Sequence, residues 1–497
     1  MFFDVAHNTI VPKKAFGEKS RSVPLPISRT YHYNKPMDSN ISNVELIREA
    51  FHYKARFEGS TMVFKIDFPV TEALGFPYLM KDLALLAKTG FRIVIVPGAR
   101  EAIDSILKRQ AMVSGYGTPV DSGESVRITE ERAIPFVEMA AFGVATRFMT
   151  CLSGSRVDAI IGNFVRARGL GVVNGIDMKR TGTVDKIFTD SIGKVLKLGT
   201  IPILPCIGWG PSGKPYNVPS DEIALAVSSA LGAAKLFVVS AWGGIRKGCF
   251  PLPENIKTRD DGSIVRLTPQ ETETLIDTFS RTAVNTIDNA ESGSAERTSQ
   301  ALRELRLALQ ASNAGVDRVH IIDGREEGAV LKELFSNLGV GTMVYTDEYE
   351  SIRSIRSQDV PDMLRLMEPF MQKGILVRRT VEQIQERKDD YSVFEVDGSI
   401  RACGALHDWG ENQGEIAAVA SDPFYAGMNL GRRIVDYLIE KARKKNMARV
   451  FVLTTCTHDW FESLGFSEVP VDSLPKRKRQ AYDPERRSKV VALELRA

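Results

Sequence analysis

The stretch Gly414-Glu415-Ile416-Ala417-Ala418-Val419-Ala420-Ser421-Asp422-Pro423-Phe424-Tyr425-Ala426-Gly427-Met428-Asn429-Leu430-Gly431, followed by Arg432 to Lys444, decides the fold of the C-terminal part of this chain. Ile416 to Ala420 is a short apolar run bounded by Gly414 and by Asp422-Pro423, the pattern of a buried strand. From Leu430 onward, Ile434, Val435 and Leu438 recur at helical spacing, with Arg432, Arg433, Asp436, Glu440 and Lys441 between them. Gly427 to Gly431 therefore form a tight turn that opens a helix. There, unpaired backbone N–H groups and the helix dipole suit a pyrophosphate. An ordinary βα unit has the same outline, so the words around the turn must carry the rest.

Asp422-Pro423-Phe424-Tyr425 lies between strand and turn, as in the acetyl-coenzyme A motif of GNAT acyltransferases. Four more words stand in order around it: Gly374-Ile375-Leu376-Val377-Arg378-Arg379, Phe451-Val452-Leu453-Thr454-Thr455, Trp460-Phe461-Glu462-Ser463-Leu464-Gly465-Phe466 and Arg486-Arg487-Ser488-Lys489-Val490. With these the segment from Ile352 to the C-terminus resembles the acetyltransferase half of the N-acetylglutamate synthase family. The resemblance implies that acetyl-CoA lies along Ala418, Val419 and Ala420, with its pyrophosphate on Ala426, Gly427, Met428, Asn429, Leu430 and Gly431. Two positions depart from the general pattern: Ala426 replaces the usual Arg or Gln, and Asn429 a usual glycine. Backbone N–H donation does not depend on side-chain identity, so the cradle is modified rather than lost.

The same resemblance assigns Glu415 as catalytic base, and burial beside apolar strand residues would tune it for that work. The acceptor, L-glutamate, carries two carboxylates, which guanidinium groups hold with fixed geometry. Arg378 and Arg486, with Ser488 and the backbone of Leu376, match the family's glutamate-binding positions; Arg379 and Arg487 are their neighbours. Thr454, Cys456 and Thr457 lie where a proton donor for the thiolate would be, and none is singled out. Ala418 stands where some relatives have cysteine, which fits direct attack in a ternary complex without an acyl-enzyme.

Upstream, strands and helices alternate: Thr61–Ile66, Phe91–Val96, Val157–Phe164, Ala233–Ser240 and Val319–Asp323 read as strands, with Val195–Leu198 and Ile201–Ile207 as strands or short connecting pieces. Tyr78–Thr89, Ser220–Leu231 and Glu327–Asn337 read as helices. This α/β order predicts a three-layer domain with a mainly parallel sheet, followed by a smaller α/β domain. The words Gly75-Phe76-Pro77, Val96-Pro97-Gly98-Ala99-Arg100, Tyr216-Asn217-Val218-Pro219-Ser220-Asp221-Glu222-Ile223-Ala224, and Glu333-Leu334-Phe335 followed by Gly339-Val340-Gly341-Thr342 resemble the amino-acid kinase family, over Val44 to Tyr345. Phosphoryl transfer needs a close backbone cradle and cations. Lys65 is present, but the glycine pairs are not, and Ala99 and Arg100 fill the second cradle; the kinase chemistry is expected to be lost. A domain kept without its chemistry is expected to keep a binding role. By resemblance that role is an L-arginine site at His320, Glu333, Leu334, Phe335, Gly339 and Gly341, with Glu333 gripping the guanidinium.

The domains expected are therefore a disordered extension over 1–43, a kinase-like regulatory domain over 44–346, and an acetyltransferase domain over 352–497. Thr346–Ser351 is the linker, and the amphipathic Ile41–Phe57 helix is either an arm for a homo-oligomer or part of its own domain. The bulk numbers agree. The chain has 497 residues, 43% apolar and 26% charged, with a formal net charge of +3, too small to imply a nucleic-acid partner. Lys476-Arg477-Lys478-Arg479 is a local basic cluster of the kind that usually faces solvent. Cys151, Cys206, Cys249, Cys403 and Cys456 are scattered and form no C-x-x-C pair, so neither a metal site nor a disulfide framework is expected and a reducing compartment fits; a cytoplasmic setting is expected, with import into an organelle as the alternative. No membrane-length apolar run is expected. The leading reading is synthesis of N-acetyl-L-glutamate, opening arginine biosynthesis; the alternatives are a bifunctional synthase and kinase, and an amino-acid-binding regulator with a degenerate transferase half.

Overall fold

The computed structural model describes residues 50–51, 53–55, 57–113, 115–117, 125–247, 252–253, 256, 258–259, 261–286, 292–335, 339–346, 350–396, 398–423 and 429–495. The expected 1–43 extension, most of the Ile41–Phe57 helix, and Ala426, Gly427 and Met428 lie outside these residues.

Strands β1 (Thr61–Ile66), β2 (Arg92–Pro97), β3 (Ala159–Ile161), β4 (Ile201–Ile203), β5 (Lys235–Ser240), β6 (Arg266–Leu267), β7 (Arg318–Asp323) and β8 (Thr342–Tyr345) form one sheet in the order β6-β8-β7-β5-β1-β2-β4-β3. Every neighbouring pair is parallel except β7 with β8. Parallel strands joined by helices are covered on both faces, so their residues alternate between two apolar layers. Met62, Phe64 and Ile66 enter one layer with Ile93, Ile95, Phe237 and Val239. Val63 enters the other with Val94, Val96, Leu236 and Val238. Helices α1 (Phe76–Lys88), α2 (Arg100–Arg109) and α3 (Ile134–Gly154) close the first layer, and α4 (Ser220–Ala230) helps close the second. This is the expected three-layer arrangement. Phe64 stacks on Phe237 across β1 and β5 with ring centroids 4.5 Å apart, fixing their register.

Several expectations need correction. Val195–Leu198 is not a strand: Thr189–Lys197 is a helix that buries Ile192 and Leu196, four residues apart on one face. An apolar run of membrane length does occur, since Glu131–Gly154 is long and apolar enough to cross a membrane by length and composition. Its buried side, including Val137, Ala141, Val144, Phe148 and Leu152, packs in the first layer. The described end of the Ile41–Phe57 helix packs on its own domain, with Tyr53 against Phe57, Phe91 and Phe335. Glu350 and Ser351 are not linker, because they pair with Val396 and Glu395 in the next sheet. Between β8 and the end of β7 runs α5 (Ala329–Phe335), the helix that carries Glu333.

The second sheet comprises β9 (Glu350–Ser354), β10 (Tyr391–Val396), β11 (Ser399–Asp408), β12 (Gln413–Ser421), β13 (Arg449–Thr454), β14 (Ser467–Glu468) and β15 (Lys489–Glu494), in the order β9-β10-β11-β12-β13-β15-β14. Only β12 and β13 run parallel. Helix α6 (Leu430–Lys444) lays Ile434, Val435 and Leu438 on one face of the sheet, against Phe394, Ala402 and Ile416. Met363, Met367 and Met371 of Val360–Gln372 cover Ala418 and Ala420 on the other. The register of β11 against β12 jumps from Cys403–Ala420 to Ala405–Ala417, so Ala418 and Val419 together oppose Gly404. Ala418 takes the extra turn with φ 54°, a left-handed conformation that costs an alanine about 1–2 kcal/mol. Such a bulge bends its strand. β12 accordingly pairs with β13 only at Gln413–Arg449, Gly414–Val450 and Glu415–Phe451, and the two strands then part.

Candidate active site

The parted strands open a cavity of about 370 Å³, within the size range of small-molecule sites. Ala418, Val419 and Ala420 line one wall, Val452 to Thr454 face them, and Gly431 at the start of α6 closes one end. The polypeptide amides beyond Glu415 have no β13 partner, so this edge can meet an amide-bearing chain or a carbonyl. Asn429 caps α6 with φ 52° and ψ 33°. That explains the departure from glycine, since asparagine is among the few residues enriched in left-handed backbone. Leu430 buries its side chain in the core and can offer only backbone. Among the acetyl-CoA positions, the structure therefore brings Ala418, Val419, Ala420 and Gly431 to the cavity and sets Asn429 and Leu430 at the helix start.

Glu415 sits at the root of the split, 6% exposed. Its surroundings are not merely apolar, as the sequence led us to expect. Lys478 Nζ lies 2.7 Å from each carboxylate oxygen, and Trp409 Nε1 donates to Oε2 at 2.7 Å. Lys478 belongs to α7 (Lys476–Gln480) and also lies 4.7 Å from the centre of the Trp409 ring. Sequence reasoning placed this lysine in a solvent-facing cluster. The four consecutive charges were the only signal, and they do not reveal which one turns inward.

Leu376, Arg486 and Ser488 all line the cavity, as does Arg379. Arg378 is exposed and is not among the lining residues. Arg486 Nη2 donates to the carbonyls of Gly374 and Ile375 at 3.1 and 3.4 Å, tying the segment just before β15 to the 374–377 loop. Thr454 and Thr457 line the cavity and hydrogen-bond through their hydroxyls at 2.7 Å, whereas Cys456 is exposed and outside the lining. One group of described residues, His458, Asp459 and Glu462, brings ligand atoms within 4.8 Å of one another at the surface. Nearby Glu468 is shared there by His458 and Lys489 at 3.0 and 2.9 Å.

Residues of the expected L-arginine site also meet. His320 Nδ1 lies 2.7 Å from Glu333 Oε1, while the amides of Val340 and Gly341 donate to Oε2 at 2.7 and 2.9 Å. Burial pushes the Glu333 carboxyl up, but His320 and the two amides outweigh it and hold it below the ordinary range. Burial, with Lys235 nearby, holds the His320 imidazole below its ordinary value. Neutral His320 then donates from Nδ1, and its Nε2 faces Lys235 Nζ at 3.5 Å. Lys235 in turn lies over the rings of Tyr53 and Phe57. Leu334 is core, and Phe335 packs edge-on against Tyr53 at 5.2 Å. Gly339 has φ 60°, and a Cβ there would lie 2.6 Å from Glu333 Oε2. Both oxygens of Glu333 thus carry internal donors, so a guanidinium would share the carboxylate with His320 rather than find it open.

Comparison with known proteins identifies the two domains. Residues 69–249 match the amino acid kinase family and residues 360–466 the acetyltransferase (GNAT) family. The amino-acid acetyltransferase of Escherichia coli (strain K12) is 31% identical over 463 residues, which are 91% of this chain and 98% of that one. The amino-acid acetyltransferase of Vibrio cholerae is 31% identical over 462 residues, with the same coverage. The chain belongs to the amino-acid acetyltransferase family. It is an N-acetyltransferase with a kinase-like domain ahead of a GNAT domain. Among solved structures, N-acetylglutamate synthase from Neisseria gonorrhoeae in complex with coenzyme A and L-arginine covers 91% of this chain and 99% of its own, at 30% identity and a TM-score of 0.75. The same synthase in complex with coenzyme A and N-acetyl-glutamate is similar at 31% identity and a TM-score of 0.53.

In this amino-acid acetyltransferase the kinase-like crevice is nearly filled. A cavity of about 60 Å³ remains beside Lys65, Arg100 and Asp221, room for a few waters and far less than a small-molecule site. Lys65 is 2% exposed and pairs with Asp67 at 2.6 Å and Asp221 at 2.7 Å. Burial alone would lower its ammonium's proton affinity, but the two carboxylates outweigh that and raise it. The cation that a phosphate would need is already neutralised.

Proposed function

We propose that this amino-acid acetyltransferase moves the acetyl group of acetyl-CoA to the α-amine of L-glutamate, giving N-acetyl-L-glutamate, and that L-arginine regulates it through the His320–Glu333 cluster. The observation that carries the reading is Glu415 buried at the root of the β12–β13 split, in a cavity that also holds Arg379, Lys478, Arg486 and Ser488. Glu415 takes the proton of the amine, directly or through one water. The amine attacks the thioester carbonyl, whose oxygen meets backbone amides of the bulged Ala418–Ala420 segment. Collapse expels the thiolate, a tolerable leaving group, with the paired hydroxyls of Thr454 and Thr457 among the hydroxyl donors that line the cavity. The cations hold the acceptor's carboxylates in line. The neighbours crystallised with coenzyme A, N-acetyl-glutamate and L-arginine support each ligand in turn. A homo-oligomer and a cytoplasmic setting belong to the same reading; the exposed Tyr78, Leu85 and Met139 of α1 and α3 support the first.

A combined synthase and kinase finds no support in a 60 Å³ crevice with Lys65 already paired. The test is release of free coenzyme A thiol from acetyl-CoA with glutamate, aspartate or glutamine as acceptor, with and without ATP and arginine. Turnover with glutamate that ignores ATP and responds to arginine is expected. No turnover with glutamate overturns the reading.

A further inference from the structure

We propose that Lys478 guards the base: it neutralises Glu415 in the free enzyme, and on substrate binding it passes to a carboxylate of the acceptor and releases Glu415 to take the amine proton. The proposal rests on the acetyl-transfer reading above.

The contact is closer than a surface pairing. Both oxygens of Glu415 lie 2.7 Å from the ammonium, and the Lys478 side chain is 14% exposed. Each oxygen turns a lone pair to the ammonium, and Trp409 takes another on Oε2, so the carboxylate has little left to present to an incoming amine. An incoming glutamate brings two carboxylates and one ammonium, a net negative charge, into the same cavity. Arg379 and Arg486 already donate to backbone carbonyls of Val377, Gly374 and Ile375, which fixes their planes against the loop. Lys478 differs: among the described residues its ammonium donates to the base itself, and it is a point charge with three donors on a flexible stem.

The lysine exchanges one carboxylate for another while the acceptor's ammonium takes its place on Glu415, so neither state strands an ion. Trp409 makes the exchange orderly. Its Nε1 donates to Glu415 Oε2 through a bond separate from the lysine's, an anchor that does not depend on the ammonium and would leave Oε1 for the amine. Its ring, 4.7 Å from the ammonium, keeps a cation–π contact within reach of a small displacement. Trp409 therefore also reports on the event.

The experiment uses the full chain and its Lys478→Met and Lys478→Arg variants, with Trp409→Phe to assign the emission. Steady-state kinetics with both substrates are paired with a glutamate titration of tryptophan fluorescence in the presence of coenzyme A, which cannot react. Lys478→Met should raise the glutamate KM roughly tenfold or more while the acetyl-CoA KM stays within about twofold, and Lys478→Arg should recover most of the loss. Glutamate should change the Trp409 emission of the wild type and not of Lys478→Met. An unchanged glutamate KM in Lys478→Met overturns the proposal. So does a wild-type emission that saturating glutamate leaves unmoved, an outcome readable even if the methionine variant does not fold. A wild type that fails to acetylate glutamate at all would instead overturn the functional reading.

Discussion

Replacing Gly339 with alanine should separate regulation from catalysis. The residue has φ 60°, which costs an alanine about 1 kcal/mol or more. Its new Cβ would lie 2.6 Å from Glu333 Oε2, closer than real Cβ contacts come, and a tight 3.0 Å from Cδ. The carboxylate cannot swing aside, because His320 Nδ1 and the amides of Val340 and Gly341 hold it from three directions. Something must give, and the two amide bonds on Oε2 face the intruding methyl. Losing one charge-assisted bond there costs about 1.5–3 kcal/mol. If that anchor positions the effector, arginine affinity should fall by roughly ten- to a hundredfold. The assay is calorimetric titration with arginine, alongside the arginine response of acetyl transfer. Kinetic constants without arginine should stay within about twofold of wild type, because Glu415 and its cavity belong to the other sheet. A variant whose arginine response matches wild type within about threefold would refute the argument.

Glu415→Gln should keep coenzyme binding and lower kcat by roughly two to four powers of ten, the range for a lost base; activity within threefold of wild type from acid to alkaline pH would remove Glu415 from the mechanism. Arg486→Ala should raise the glutamate KM well above any change for acetyl-CoA, and Arg378→Ala should do much less, given which of them lines the cavity; the reverse order, read from the two KM values, would restore the family-based assignment of Arg378. Glu304 offers a pH test: burial pushes its carboxyl from 4.5 up to about 7, against the hydrogen bond from Gln300. A raised carboxyl binds its proton more tightly folded than unfolded, so stability is greatest below about 4.5 and falls as pH rises toward about 7, by about 3 kcal/mol in all. Glu304→Gln should flatten the fall in Tm between pH 5 and 8, and an unchanged slope would show that Glu304 does not set it.

Strand β12 and helix α6 were legible in the sequence because period and punctuation are local. Ile416 to Ala420, the Asp422-Pro423 break and the Ile434–Leu438 spacing need nothing from the rest of the chain. The bulge was not legible: Ala418 adopts a glycine-like φ with no glycine to mark it, because the neighbouring β11 register imposes it. Lys478 and Arg379 were hidden for a related reason. Each is one charge among several in a row, and only packing decides that Lys478 faces Glu415 and that Arg379, not Arg378, faces the cavity. Val195–Leu198 misled because its apolar crowding looks like a strand until Ile192 is counted with it.

Glu415 and Glu333 are held in opposite ways, and that difference matches their proposed work. Glu415 is paired to an ammonium on a flexible side chain and to one indole, partners that can exchange without moving the backbone. That suits a group which must change state in every turnover. Glu333 is held by His320 and by amides of the 339–341 segment, which cannot leave it unless the backbone moves. That segment runs straight into β8, where the Thr342 hydroxyl bridges the Ile245 amide and the Ile264 carbonyl at 2.8 and 2.5 Å. The chain leaves β8 at Tyr345, and Glu350 already opens β9 of the acetyltransferase sheet. A ligand that draws Glu333 away from its amides must therefore shift the last strand before the catalytic domain. Differential affinity for two settings of that strand is all that regulation at a distance requires.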